Sequence, residues 1–265
     1  MNTIRVNQDI RLSEGFSEYV IDSERDLELT LSGEGKCQAL FRIKHAKSLR
    51  LRGYTADDSE MSVLFWNEST DPLVSDESFE VNERAHLSVA YGECEAAETR
   101  RKIYVALRRP YAFAEVHSAT LAANRKEYRM NVVNFAPHTT GEMNNYAVVL
   151  NQGRLMIDAI GTIVKGAKGA KSHQTSRALS FESGQRSTIL PELLIDENDV
   201  EASHAMSIGR VDDEQLYYLM SRGLTMPQCT ALISAGYLLP VADVIDNEEV
   251  RNVLKAELER KLSAL

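Results

Sequence analysis

Apolar and polar residues alternate with a period of two along most of the first 200 positions of this 265-residue chain. Leu27, Leu29 and Leu31 are interleaved with Glu28 and Thr30, and Leu40-Phe41-Arg42-Ile43, Leu49-Arg50-Leu51, Val63-Leu64-Phe65-Trp66 and His86-Leu87-Ser88-Val89 continue the theme. Successive side chains of a strand point to opposite faces, so each segment is expected to turn one face to a core and the other to water. Turn-forming clusters separate the segments: Ser32-Gly33-Glu34-Gly35, Asp57-Asp58-Ser59 and the run from Asn67 to Pro72. The middle of the chain is similar, with Ile103–Leu107, Tyr128–Phe135, Tyr146–Leu150, Leu155-Met156-Ile157, Ala178–Phe181 and Ser187–Leu190 as strand candidates. Asn151-Gln152-Gly153 and Ser183-Gly184-Gln185 are turn signals, and residues 1–25 have no clear period. Many short strands with close turns predict a mainly β sandwich, barrel or solenoid. No repeat of fixed length chooses among the three.

At Asp212 the period changes to about 3.6. Asp212 suits an N-cap with Gln215 three residues on, and Leu216, Leu219 and Met220 share a helical face. Gly223 suits the left-handed position after a helix, and Thr225-Met226-Pro227-Gln228 starts a second helix with a capping box. Gly236 is expected to end it, and Val250, Val253, Leu254, Leu258 and Leu262 form the stripe of a third. Two domains follow: residues 1–211, β, and residues 212–265, helical. The helical part is too small to bury all its apolar faces alone. It therefore packs on the β part or offers a groove to a partner.

Composition narrows the function. A formal net charge of −9 argues against a nucleic-acid binder. Nothing approaches 18 consecutive apolar residues, and residues 1–20 carry neither a long apolar run nor a small-residue cleavage site. No membrane segment or secretory leader is expected. The three cysteines, Cys37, Cys94 and Cys229, are too sparse for a disulfide framework and fit a reducing cytoplasm. Cys229 reads as a buried apolar residue of the second helix, whereas Cys37 and Cys94 sit among charged residues near turns and could be exposed. Gly166-Ala167-Lys168-Gly169-Ala170-Lys171-Ser172 has Ala170 and Lys165 where a phosphate-binding loop needs glycines, so it reads as a solvated turn and no nucleotide site is expected. There is no Cys-x-x-Cys or His-Glu-x-x-His motif. Glu192, Asp196, Glu197, Asp199 and Glu201 raise the alternative of a solenoid enzyme acting on glycans, but read as a solvated rim.

A series of short motifs in order carries a resemblance. Val149-Leu150-Asn151-Gln152-Gly153, Gly161-Thr162-Ile163, Gln174-Thr175-Ser176-Arg177-Ala178-Leu179, Pro191-Glu192-Leu193-Leu194-Ile195, Asn198-Asp199-Val200, the segment Ala202–Gly209 around His204, Asp213-Glu214-Gln215-Leu216 and Ser221-Arg222-Gly223 together resemble the SufB/SufD family of the SUF iron–sulfur cluster assembly machine. Residues 115–262 carry the likeness, and the first 110 match only in general character. The resemblance implies a right-handed parallel β-helix core with a small C-terminal helical domain. Longer family members have an N-terminal helical region, of which this chain carries little or none.

The resemblance also implies a role. SufB and SufD pair through their β-helices, each binds a SufC ATPase through its helical domain, and a nascent cluster is held transiently at their interface. SufB supplies a cysteine and a glutamate there, and SufD a histidine. By position, the SufB cysteine is Ser176 here and the glutamate is Ala205, so both are absent, while His204 matches the SufD histidine. The chain therefore resembles a SufD-like, non-catalytic subunit. Its expected partners are a SufC-type ABC ATPase and a SufB-like paralogue, or a second copy of itself in a minimal homodimeric system. His204 is the candidate cluster or iron ligand. Leu216, Leu219, Leu232, Ile233 and Tyr237 are candidates for ATPase docking, divided in an unknown way between that face and internal packing.

Overall fold

A computed structural model describes residues 2–150, 153–181 and 186–262. The turn signals at Asn151-Gln152 and Ser183-Gly184-Gln185 lie outside the described residues. Within them, strands succeed one another as β1 (Asn2–Ile4), β2 (Gln8–Leu12), β3 (Gly15–Ser23), β4 (Leu27–Gly33), β5 (Lys36–Ala46), β6 (Ser48–Thr55), β7 (Glu60–Asn67), β8 (Leu73–Val81), β9 (His86–Glu93), β10 (Thr99–Leu107), β11 (Phe113–Ala122), β12 (Arg125–Asn134), β13 (Thr140–Val149), β14 (Arg154–Ile163), β15 (Ala170–Ser180), β16 (Arg186–Ile195) and β17 (Val200–Arg210). Helices α1 (Asp213–Ser221), α2 (Met226–Leu238) and α3 (Glu248–Leu262) follow, with a 3-10 segment at Leu239–Val244.

Odd-numbered strands form one parallel sheet and even-numbered strands the other, each in chain order. The chain is thus a parallel β-solenoid of two sheets around a filled lumen. Residues 1–25, without visible period in the sequence, supply its first three strands. The coil length explains why no fixed repeat is legible. Gln8 lies beside Leu29, 21 residues on, Thr99 beside Lys126, 27 on, and Arg154 beside Arg186, 32 on. The unit is constant in space but lengthens along the chain, in its turns.

The two sheets obey the alternation differently. In β4, Leu27, Leu29 and Leu31 enter the lumen while Glu28 and Thr30 face solvent, as period two predicts. In β7 and β9 nearly every residue is buried. Their outer faces, expected in water, lie instead beneath the C-terminal helices: Leu40, Leu64, Trp66, Ala90, Leu121 and Val148 share one apolar cluster with Leu238, Ile245, Leu254 and Leu258. Strands buried on both faces read as continuous apolar runs. Trp66 fits because its in-register neighbour is Gly92, where a Cβ would stand 2.3 Å from the indole. The helical layer is also held at its rim, where Arg42 pairs with Glu257 at 2.9 Å and Lys261 with Glu95.

The caps fall where the sequence puts the first two helix starts. Asp212 accepts the Glu214 N–H at 2.9 Å, and Thr225 and Gln228 form a capping box. Gly223 takes φ +94° after α1. Gly236 does not end α2, which runs on to Leu238. Burial of Ala235 and Leu238 against the sheet outweighs the roughly 1 kcal/mol that glycine costs a helix.

Inside the lumen, Tyr19, Phe41, Phe65 and Tyr91 stack with ring centroids 4.9, 5.1 and 5.6 Å apart. The same column then turns polar, through Ser118, Asn145 and Ser176. At that change Arg101, fully buried, bridges Glu77 and Glu93 at 2.6 Å each, and Tyr91 donates to Glu77 at 2.6 Å. Burial opposes ionisation of Glu93, but Arg101, Lys126 and the Asn67 amide outweigh it and hold its carboxyl below the usual range. Removing one partner of a buried ion pair leaves uncompensated charge, at a cost of about 3–5 kcal/mol. Arg101→Met should therefore lower the unfolding free energy by about that amount in urea titration. A change below about 1 kcal/mol would mean that the network is not a structural tie.

Candidate functional site

The last coil of the solenoid differs from the rest in burial. β17 ends the odd sheet and β16 the even one, so among the described residues each has a strand neighbour on one side only. Exposed edge N–H and C=O groups of this kind are a template for pairing. The edges are also apolar: Met206 and Ile208 are 49% and 46% exposed, and Leu190, Leu194 and Ile195 of β16 are exposed too.

Register determines which β17 residues stand over the lumen. Ser172, Gln174, Ser176 and Ala178 of β15 are buried, and their partners are Ala202, His204, Met206 and Ile208. Parallel in-register partners point the same way, so these four line the mouth of the solenoid. His204 is there because alternation along β17 puts it on the inner face, and it is exposed because no further coil covers it. Its imidazole has no hydrogen-bond partner among the described residues, whereas the adjacent His173 is taken up by Ser203 at 2.8 Å. A neutral imidazole with a free ring nitrogen is a competent ligand for iron.

The other two positions singled out by the resemblance behave differently. Ser176 lies below the mouth, 1% exposed, and its Oγ accepts from Asn145 Nδ2 at 3.1 Å, which is itself held by Ser118 at 2.7 Å. Ala205 is on the outer face, in register with Thr175. Among the described residues, no three His, Cys, Asp or Glu side chains converge in an arrangement that could hold a metal ion. On this chain the mouth therefore offers one imidazole rather than a ligand set.

The sequence candidates on the helices divide. Leu216 is buried in a small cluster with Val211 and Cys229, against which Leu219 and Ile233 are half-buried. Tyr237 packs against the β-sheet cluster, its ring edge-on to Tyr146 at 5.7 Å. Leu232 is exposed. Tyr217, at 76% exposure, Tyr218 and Met226, which sequence reasoning did not name as docking candidates, are exposed as well, and so is Met220, which the helical stripe had grouped with Leu216 and Leu219. The helical stripe identified the buried side of α1, and the exposed aromatic pair on its opposite side was the unread signal.

A cleft of about 330 Å³ lined by Arg42, Lys44, Glu68, Glu95, Glu257, Arg260 and Lys261 lies along α3. Arg42 is engaged there by Glu18, Glu68 and Glu257. Arg42–Glu257 and Lys261–Glu95 are paired across the helix–sheet seam, so these four side chains fasten the helical layer to the sheet. Glu192, Asp196, Asp199 and Glu201 are exposed. Of the Gly166–Ser172 run, expected as a solvated turn, only the first four residues form the turn, with Gly166 and Gly169 at positive φ; Ala170–Ser172 open β15, and Ala167, Ala170 and Ser172 are buried because they close the corner of the coil over Ile163 or face the lumen.

All three cysteines are buried, including Cys37 and Cys94, which their charged neighbours suggested could be exposed. Cys37 points into the lumen cluster, and Cys94 lies under the helical layer. Burial pushes the Cys37 thiol up, and the Cys94 thiol up to about 12. Neither is poised as a thiolate.

A two-sheet parallel solenoid whose C-terminal helices lie on one sheet, with His204 at its open mouth, defines the class as a β-solenoid with a helical C-terminal layer. The family model for the SUF system FeS cluster assembly, SufBD core domain, matches residues 42–237. The chain belongs to the SufBD family. It is 36% identical over 137 residues to the iron–sulfur cluster assembly protein SufD of Bacillus subtilis, covering 52% of this chain and 31% of that protein. A SufBD family protein of Mycobacterium bovis is 29% identical over 154 residues, covering 56% of this chain and 18% of the relative. A Staphylococcus haemolyticus member is 26% identical over 131 residues, covering 48% and 28%. The matches thus span a third or less of these relatives' own lengths. No helix among the described residues is long and apolar enough to cross a membrane.

Thiol burial has a direct check. With a chromogenic disulfide reagent the native chain should release almost no signal until denaturant is added. The Ser176→Cys variant should stay equally silent, at a stability cost of about 1 kcal/mol for the weakened Asn145 bond. A fast-reacting thiol in the native wild type would contradict the packing of Cys37, Cys94 or Cys229.

Proposed function

We propose that this chain is a non-catalytic, SufD-like subunit of an iron–sulfur cluster assembly complex. It pairs edge to edge with a SufB-like partner through β16 and β17, and residues 212–265 dock a SufC-type ABC ATPase. The observation that carries the reading is the open last coil: an unpaired, apolar strand edge with His204 at the lumen mouth. Pairing there would cover Met206, Ile208 and Leu194 and leave His204 beside whatever the partner's edge presents. The nascent cluster is cargo at that composite site, with His204 as the ligand from this side.

Two further observations support the division of labour. The three cysteines are buried and the SufB cysteine position is Ser176, so thiolates, the usual iron–sulfur ligands, fall to the partner. That weighs against a homodimeric scaffold built from two copies of this chain. Tyr217, Tyr218, Met220, Met226 and Leu232 offer an exposed aromatic and Met-rich surface of the kind enriched at interfaces.

Coexpression with the ATPase and the paralogue tests each contact separately. Ile208→Asp should abolish co-purification of the paralogue while the ATPase is retained. A Tyr218→Glu, Leu232→Asp double variant should do the reverse. His204→Ala should leave all three subunits together and cut iron and acid-labile sulfide recovered on the complex by at least about tenfold, the scale of a lost metal-site residue. Full cluster loading in His204→Ala complexes would end the ligand role. Paralogue retained by Ile208→Asp would end the edge-pairing role.

A further inference from the structure

Gln174 lies in the lumen floor directly beneath His204. The two are in-register partners on β15 and β17, so their side chains leave the same face of adjacent strands about 4.8 Å apart. Gln174 is 2% exposed, and its Nε2 donates to the carbonyl of Glu192 across the lumen at 2.8 Å. That bond sets the sense of the amide, because a flip would bring two carbonyl oxygens together. Oε1 is thereby a fixed acceptor, and it is buried with no hydrogen-bond partner. An unpaired buried acceptor costs about 1–3 kcal/mol, so its persistence calls for a donor.

Room for the amide comes from Gly161 on β14. A Cβ there would stand 2.8 Å from Gln174 Nε2 and 2.3 Å from Ser172 Oγ. The next residue up the column is His204, whose ring has no partner of its own among the described residues. A ligating imidazole works as a ligand when its second ring nitrogen is held by an acceptor, which sets both tautomer and ring orientation.

We infer that Gln174 is a positioning residue for His204: its Oε1 accepts the imidazole N–H that faces the lumen, and the lone pair of the other ring nitrogen is presented outward at the mouth. The outward lone pair is what a metal ion of the cargo would meet, so the use of the arrangement, though not the arrangement itself, rests on the proposed function. Ser172 Oγ is the competing donor, since it too is buried without a partner and a trapped water could join it to Gln174.

Long-range proton–nitrogen NMR of the intact chain, labelled with 15N-histidine, reads the tautomer directly above the histidine titration range. His204→Ala identifies the signal. Wild-type His204 should show a single neutral tautomer. Gln174→Met should show a mixture of both, and Gln174→Glu, which keeps an acceptor in place, should return the single form. Gly161→Ala, which crowds the amide, should also give the mixture and serves where Gln174→Met fails to fold. A mixture in the wild type, or a single tautomer surviving Gln174→Met, would overturn the inference in favour of the Ser172 water. A tautomer that depends on Gln174, combined with normal cluster loading in His204→Ala complexes, leaves the positioning role standing and removes the ligand role. The opposite pair of results removes the positioning role and leaves the ligand.

Discussion

Parallel, in-register stacking is the constraint from which the rest of this molecule follows. Each strand satisfies its backbone by bonding to the equivalent strand of the next coil, so side chains are sorted into columns. A column must be chemically compatible from coil to coil. Tyr19, Phe41, Phe65 and Tyr91 meet that demand as a ring stack, and Ser118, Asn145 and Ser176 meet it as a hydrogen-bonded ladder. The change from one to the other is made around the Arg101–Glu77–Glu93 network, where buried charge is tolerated because each ion has its partner. The same rule cannot be met at the last coil. There the columns run out, and their final members, His204, Met206 and Ile208, are left at the surface.

The helical layer makes that end distinctive. It lies over β5, β7, β9, β11 and β13, where it converts the outer face of the odd sheet into a second core. It leaves the outer edge of β17 bare. One solenoid thus has a covered flank, an open apolar edge, and an exposed helical surface at Tyr217 and Tyr218.

Legibility in the sequence varied with how local each feature is. The β-to-helix switch at Asp212 and the caps at Asp212 and Thr225 are local chemistry, and the structure has them where spacing puts them. The solenoid was harder, because coils whose in-register offset runs from 17 to 32 residues hide the repeat, and only the ordered motifs from residue 149 onward pointed to it. Gly236 misled, since its weak helix preference was overridden by the burial of Leu238. Cys37 and Cys94 misled for the same reason: charged sequence neighbours say little about burial when alternate residues face opposite ways. His204 was given a role by its motif, whereas Gln174, although it opens another motif of the series, was given none; both lie on lumen-facing positions. Nothing in a linear reading joins residues 30 apart until register makes them neighbours.

By itself, then, the order of residues determined what short-range physics controls: period-two strands, turn residues between them, helix starts with their capping side chains, and a motif series specific to one family. Tertiary structure decided which faces are inside. Leu64 and Trp66 are core because helices from 170 residues further on return to cover them, and Met206 and Ile208 are surface because nothing follows them in the column. Burial is a property of the stack rather than of the segment. The meaning of His204, a residue at the mouth with an orphaned amide beneath it, exists only once the coils are in register.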